Sequence, residues 1–250
     1  PLGHVVLLLP LRGALRIQTG EGQFQLAARH WMVLDRESAP AILSGRQHLG
    51  LVVTFSAAAW RQFHRGGGTE TLPGRGRMNR AMVATIVQAL RSPVVAGGEF
   101  WRREPVLRAL FAQVEALQEP VRALVVRCPG KSRSRRLQVL SRLQRARLYV
   151  EGHANRVVRI GELATLTNFS HWYFTKSFHR VYGMSPKDFG IQVRLTQARD
   201  LLRDPARTVS EVAAACGFEN NSAFARAFRN YFGCPASVLR QENAPPRRAA

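Results

Sequence analysis

Cysteine is scarce in this chain. Only Cys128, Cys216 and Cys234 occur, far apart and odd in number, and no CxxC pair exists. That usage excludes a zinc ribbon and a disulfide framework, and it fits a reducing, cytoplasmic setting. Long apolar runs are missing too. The longest near the start, Val5–Leu9, falls far short of the roughly 20 residues a membrane-spanning helix needs, and it lacks the layout of a secretory signal. No membrane partner is expected. Clustered histidine is also absent: His4, His30, His48 and His64 are scattered, without the close HxH spacing of a metal site. No metal, no cofactor and no metal-dependent catalysis are therefore expected. The last shortage is acid. Sixteen Asp and Glu stand against 37 Lys and Arg, for a net charge of +21 and a pI near 11.6. A chain that is 46% hydrophobic can fold, and one this basic most often meets nucleic acid. The chain opens at Pro1 without a Met, so residues preceding it are expected.

What is present divides into two styles. Residues 1–56 read as short strands: "VVLLLPLRGALRIQTGEGQFQL" gives apolar or alternating runs broken by Gly. Thr19–Gly22 reads as a hairpin turn, and Trp31–Asp35, Ala41–Leu43 and Leu49–Phe55 supply further strands. This pattern predicts a small β-barrel or sandwich. Helices follow. Asn79–Arg91 carries Met82, Val83, Ile86 and Leu90 on one face. A second helix from about Pro105 carries Leu107, Leu110, Phe111, Val114 and Leu117, with Pro120 at or beyond its end. Its apolar face can pack on the barrel or on a second subunit. From Val121 to Gly161 eleven Lys/Arg meet one acid, Glu151. "RCPGKSRSRR" at 127–136 reads as a basic linker, either solvated or lying beside phosphates. From Leu137 to about Leu239 the pattern is helical.

The helical half repeats itself. A shift of 49 residues lays Ile160, Glu162, Leu163, Ala164 and Phe169 on Val209, Glu211, Val212, Ala213 and Phe218. With one residue more in the turn, Phe174, Phe178 and Gly183 fall on Phe224, Phe228 and Gly233, now 50 apart. Each copy is a helix, a tight turn and a helix with a buried aromatic stripe. Thr208 or Ser210 can cap the first helix of copy two, and Glu211 suits its positive end. Gly217 fits a turn position of positive φ, and Asn168 tolerates the same geometry in copy one. Phe169 and Phe218 would plug the corners. The opposite faces carry Trp172, Lys176 and His179, and Ser222, Arg226 and Arg229. That is the layout of a helix-turn-helix whose second helix enters a major groove. Between the copies, 186–203 can form a rigid helix about 24–27 Å long at about 1.5 Å per residue. Phe189, Val193, Leu202, Ile191, Leu195 and Ala198 are available to its inner side. Such a spacer can hold two reading helices near the ~34 Å separation of successive major grooves.

"IGELATLTNFSHWYFTKSFHRVYGMSP" and "VSEVAAACGFENNSAFARAFRNYFG" resemble the two helix-turn-helix motifs of the AraC/XylS family of bacterial transcription regulators. The resemblance covers about Leu137 to Arg240. Copy two departs from the family pattern at its close, where Pro235 stands one place early and Ala236 fills the usual proline slot. The resemblance implies an α+β two-domain protein with this organisation: 1–120, a cupin-like regulatory and dimerisation domain, a β-barrel with helices; 121–136, a basic linker; 137–241, an all-α DNA-binding domain with two helix-turn-helix motifs joined by a helix; and 242–250, a disordered tail. It implies base contacts from Trp172, Lys176, Ser222 and Arg226, with Thr175, His179, Asn221 and Arg229 next in rank. Arg226 can donate to guanine and Trp172 can touch a thymine methyl. It also implies double-stranded DNA, RNA polymerase, a small-molecule effector and a second copy of the chain as partners.

Two readings of other classes compete with a sequence-specific regulator. One is a non-specific, nucleoid-like DNA binder, which the Trp, Ser and Asn on the reading faces argue against. The other is an enzyme fused to a DNA reader, which would need the metal or cysteine cluster that the sequence lacks.

Overall fold

The computed structural model describes residues 4–43, 49–56, 71–91 and 104–242. The chain divides into two compact units, Pro1–Leu148 and Tyr149–Ala250.

In the first unit two separate antiparallel sheets form. One has four strands, in the order β6 (Leu49–Ser56), β1 (His4–Arg12), β4 (His30–Leu34) and β7 (Gly74–Arg77). The other has three, in the order β3 (Gly22–Ala27), β2 (Ala14–Thr19) and β5 (Ala41–Ile42). Leu7 faces Val33 and Leu8 faces Met32 in one ladder; Ile17 faces Phe24 in the other. The hairpin predicted at Thr19–Gly22 is present, with Thr19 paired to Gly22. The cupin-like barrel expected from the resemblance is corrected here: among the described residues the two ladders do not join into a closed barrel. With two residues, β5 is too short to carry the hydrogen-bonding onward.

The central strands of the larger sheet, β1 and β4, are buried on both faces. Leu8, Met32 and Leu34 meet Leu15, Ile17, Phe24 and Leu26 of the smaller sheet. Leu7, Leu9, Trp31, Val33 and Phe55 meet helices α1 (Arg80–Arg91) and α2 (Glu104–Arg122) on the other side. Double burial explains why β1 reads as a continuous apolar run rather than an alternation. Asn79 caps α1 by accepting from the Met82 N–H at 2.8 Å. Leu110, Phe111, Val114 and Leu117 of α2 lie in this core, and Phe111 meets Phe55 edge-on at 5.6 Å. So these residues pack on the sheet, one of the two options the sequence left open. The side chain of Leu107 lies outside the described residues, as do those of Leu90 and His4 and the whole of His48 and His64. Pro120 does not stop α2, which runs on to Arg122. So near the end the ring removes one helical hydrogen bond, and Arg122 donates to the Glu115 carbonyl at 2.9 Å.

Helix α3 (Arg133–Gly152) begins within the basic stretch. Leu137, Val139, Leu140, Leu143, Ala146 and Leu148 are buried along it, over an arc wider than an ordinary amphipathic stripe. Its Arg145 pairs with three carboxylates of the same unit. Nε donates to Glu21 at 3.1 Å, Asp35 lies 3.9 Å away, and Nη1 contacts Glu37. Burial raises the pKa of Asp35 against the pull of Arg145.

Candidate nucleic-acid interface

The second unit holds the repeat. Helices α4 (Ile160–Thr167) and α5 (His171–Tyr182) form one motif, α7 (Val209–Ala215) and α8 (Asn221–Phe232) the other. Helix α6 (Pro186–Leu201) lies between them, and α9 (Ala236–Glu242) follows. The turns match the sequence reading: Asn168 has φ 52° and Gly217 has φ 67°. Gly183 and Gly233 end α5 and α8 at φ 75° and 76°, and each N–H bonds back to the carbonyl four residues earlier at 2.8 Å. Ser170 caps α5 and Asn220 caps α8. Thr208, not Ser210, caps α7, in a reciprocal box with Glu211.

The aromatic stripes are the core of both motifs. Phe174, Phe178, Phe224 and Phe228 are fully buried, and Tyr182 and Phe232 partly so. Ring spacings repeat from copy to copy: Phe174–Phe178 at 5.7 Å and Phe178–Tyr182 at 4.5 Å, against Phe224–Phe228 at 5.4 Å and Phe228–Phe232 at 4.6 Å. The corner plugs are there too, with Phe169 edge-on to Tyr173 and Phe218 edge-on to Phe224. Helix α6 packs against both copies. Phe189 meets Phe178 at 5.7 Å, while Leu195, Ala198 and Leu202 join the core of the second motif. Its 16 residues span about 24 Å. Val193 and Ile191 are only half-buried. The departure at Ala236 is absorbed: Ala236 is buried in that same core and begins α9, as Pro186 is buried at the start of α6.

With the aromatic faces turned inward, the other faces of α5 and α8 are open. On α5, Trp172 is 67% exposed and the Lys176 Nζ stands 4.6 Å from the centre of its ring. Indole and ammonium thus form one cationic, apolar-edged unit at the start of the helix. His179 is exposed a turn further on, and Thr175 is half-buried. On α8, Asn221, Ser222, Arg226 and Arg229 are all exposed. Asn221 already donates from Nδ2 to Ser210 Oγ at 3.0 Å, which ties the two helices of its motif. His179 and Arg229 lie in the last turns of their helices, where a cation also suits the helix dipole.

Two arginines that the sequence reading passed over brace these motifs. Arg156 donates from Nη2 to Glu162 Oε2 at 2.7 Å and from Nη1 to Oε1 at 3.0 Å. Tyr149 and the Arg159 N–H also donate to this carboxylate. The Arg156 guanidinium, above all, holds the Glu162 pKa down at about 2 against an ordinary 4.5. A depressed carboxylate pKa stabilises the fold above about pH 4.5, and that stability is lost as pH falls towards 2. Glu162→Gln should cost about 1–2 kcal/mol at pH 7, discounted because the pair is roughly one-third exposed. It should also flatten the loss of stability between those pH values in urea titrations. An unchanged pH profile would contradict the assignment. Arg194, in α6, holds the corner of the second motif. No periodicity or spacing marks either arginine; each finds its partner only through the fold.

Residues 163–242 match the helix-turn-helix domain family. The chain is 31% identical over 100 residues to the transcriptional regulator GbdR of Pseudomonas aeruginosa, a match covering 40% of this chain and 27% of that one. It is 37% identical to a solved probable AraC family transcriptional regulator from Rhodopseudomonas palustris, covering 42% of this chain and 98% of that one at a TM-score of 0.40. Residues 163–242 form a helix-turn-helix domain of the AraC type. A longer match, 26% identical over 180 residues, joins it to the Msm operon regulatory protein of Streptococcus mutans, covering 68% of this chain and 57% of that protein. The chain thus spans little more than half of one curated relative and about a quarter of the other. All eight candidate residues lie inside the matched segment. Among the described residues no helix is long and apolar enough to cross a membrane, and no group of His, Cys, Asp and Glu is arranged to hold a metal.

Proposed function

We propose that this protein is a sequence-specific DNA-binding transcription regulator that reads two successive major grooves with α5 and α8. The observation that carries the proposal is the pair of matching motifs on one packed spacer, each turning a polar and basic face outward. Trp172, Lys176, Ser222 and Arg226 are the proposed base readers. Thr175, His179, Asn221 and Arg229 are proposed as flanking contacts, with His179 and Arg229 directed to phosphate. Arg226 has the fork that fits guanine O6 and N7, and Lys176 beside the indole of Trp172 pairs a donor with an apolar edge.

The same proposal assigns effector sensing and homodimerisation to residues 1–120, and connection to the basic segment 121–136. DNA binding falls to residues 137–241. Of the tail proposed at 242–250, Glu242 closes α9 and residues 243–250 lie outside the described residues. The proposal also includes cytoplasmic location, contact with RNA polymerase and a regulatory rather than enzymatic role.

Selection of bound duplexes from a random pool, then salt titrations on the selected and a scrambled duplex, tests the proposal. A specific reader prefers its site by about 10³-fold or more at physiological salt. A nucleoid-like binder would yield no shared sequence, and both duplexes would follow the same steep salt line.

A further inference from the structure

The corner of the second motif is gripped by two segments outside it. From α6, Arg194 Nη1 donates to the Gly217 carbonyl at 2.9 Å, and its guanidinium lies 4.4 Å from the centre of the Phe218 ring. From the segment after α3, the backbone presses on the turn. A Cβ at Gly217 would stand 2.7 Å from Arg156 Cα and 2.7 Å from the Asn155 carbonyl oxygen. The side chain of this same Arg156 holds Glu162, in the first turn of α4. One residue therefore touches the second motif with its backbone and the first with its guanidinium. Phe218, under Arg194, meets Phe224 edge-on at 5.2 Å and so passes the grip into α8. The matching turn residue of the first motif, Asn168, is exposed. The brace is thus not a second use of the repeat but an addition at one corner.

Arg194 is not placed as a DNA contact. It is half-buried, with one donor on a carbonyl and its guanidinium carbon over a ring. We propose that Arg194 and Arg156 are positioning residues that fix the second recognition helix relative to the first, so that the protein accepts one spacing between its two DNA subsites. The inference rests on the proposed reading of two grooves. It adds that the register comes from this junction as well as from the length of α6. Each base pair inserted between subsites moves them apart by about 3.4 Å and turns them by about 35°. A locked pair of helices cannot follow that, and a loosened pair can.

The test uses the full chain and the duplex selected by the wild-type protein, with the stretch between subsites lengthened or shortened by one and two base pairs. Wild type should lose about tenfold in affinity for the first base pair of change, on the order of a mismatched position. Arg194→Met, which keeps the length and removes the donor and charge, should bind the shifted duplexes within about threefold of its own optimum. Arg194→Lys keeps the charge but not the planar fork, and its profile should fall between the two. A purely structural role would lower affinity at every spacing by one factor and leave the profile sharp, and that result overturns the inference. If Arg194→Met does not fold by circular dichroism, Arg194→Lys decides: a profile as sharp as wild type overturns the inference, a broadened one supports it. A wild-type protein that selects no shared sequence contradicts the groove-reading proposal, and this inference with it. A wild type that selects a site while both variants keep its spacing profile contradicts the inference alone.

Discussion

Phe228→Ala should destabilise the C-terminal unit by about 3–5 kcal/mol, the range for emptying a fully buried aromatic site. Phe228 is completely buried, and its ring contacts Phe224 on one side and Phe232 on the other. Around it lie Leu195 and Ala198 of α6 and Val212 and Ala213 of α7. All belong to packed helices, so the cavity cannot close by moving a loop. The loss falls on three helices at once and should remove specific DNA binding with it. Tyr231, next along α8, is 45% exposed and provides the control. Tyr231→Ala should stay within about 1 kcal/mol of wild type. Equilibrium urea unfolding of the two variants measures the contrast, and equal costs would contradict the assignment of faces on α8.

Gly217→Ala should cost about 2–4 kcal/mol, which is large for one methyl. Two terms add. A non-glycine residue at φ 67° carries about 1–2 kcal/mol of left-handed strain. The new Cβ also meets the backbone of Asn155 and Arg156 at 2.7 Å, where no side chain can swing aside. Gly233→Ala separates the terms. Its φ is 76°, yet no atom lies within 4 Å of the added Cβ. It should show the strain alone, about 1–2 kcal/mol. A thermal melt series in which the two alanines cost the same would show that the 155–156 backbone does not press on the turn.

How far the sequence carried depends on where each signal lies. The two motifs were readable because the information is local. Phe174 and Phe178 repeat as Phe224 and Phe228, and a helix period with a turn residue between helices needs no distant partner. Helix α6 was readable for the same reason. The strands β1 to β6 announced themselves through apolar runs and turns. Strand β7 did not: "GRGR" carries no apolar pattern. It forms because its backbone pairs with β4, and because Gly76 leaves room for the Trp31 indole, whose Nε1 would stand 2.8 Å from a Cβ there. The strand pattern allowed a barrel or a sandwich and the resemblance favoured the barrel, which failed because closure depends on ladders between strands far apart in the chain. Charge misled in a related way. Arg145 reads as one of many cations in a basic run, and its carboxylates, Glu21, Asp35 and Glu37, lie more than 100 residues away. The reading faces were legible as faces. The braces at Arg156 and Arg194 were not, since an arginine on a carbonyl and a ring looks in sequence like any other.

The central claim is that α5 and α8 both read bases, and binding-site selection repeated on Lys176→Ala and Arg226→Ala tests it most directly. Each variant should lose about 1–3 kcal/mol on the wild-type site and relax preference at one or two base pairs. The relaxed positions should lie about one helical turn apart, one set for each helix. Loss of affinity by the same factor for every sequence, with no position relaxed in either variant, would leave both side chains as phosphate anchors and contradict the account.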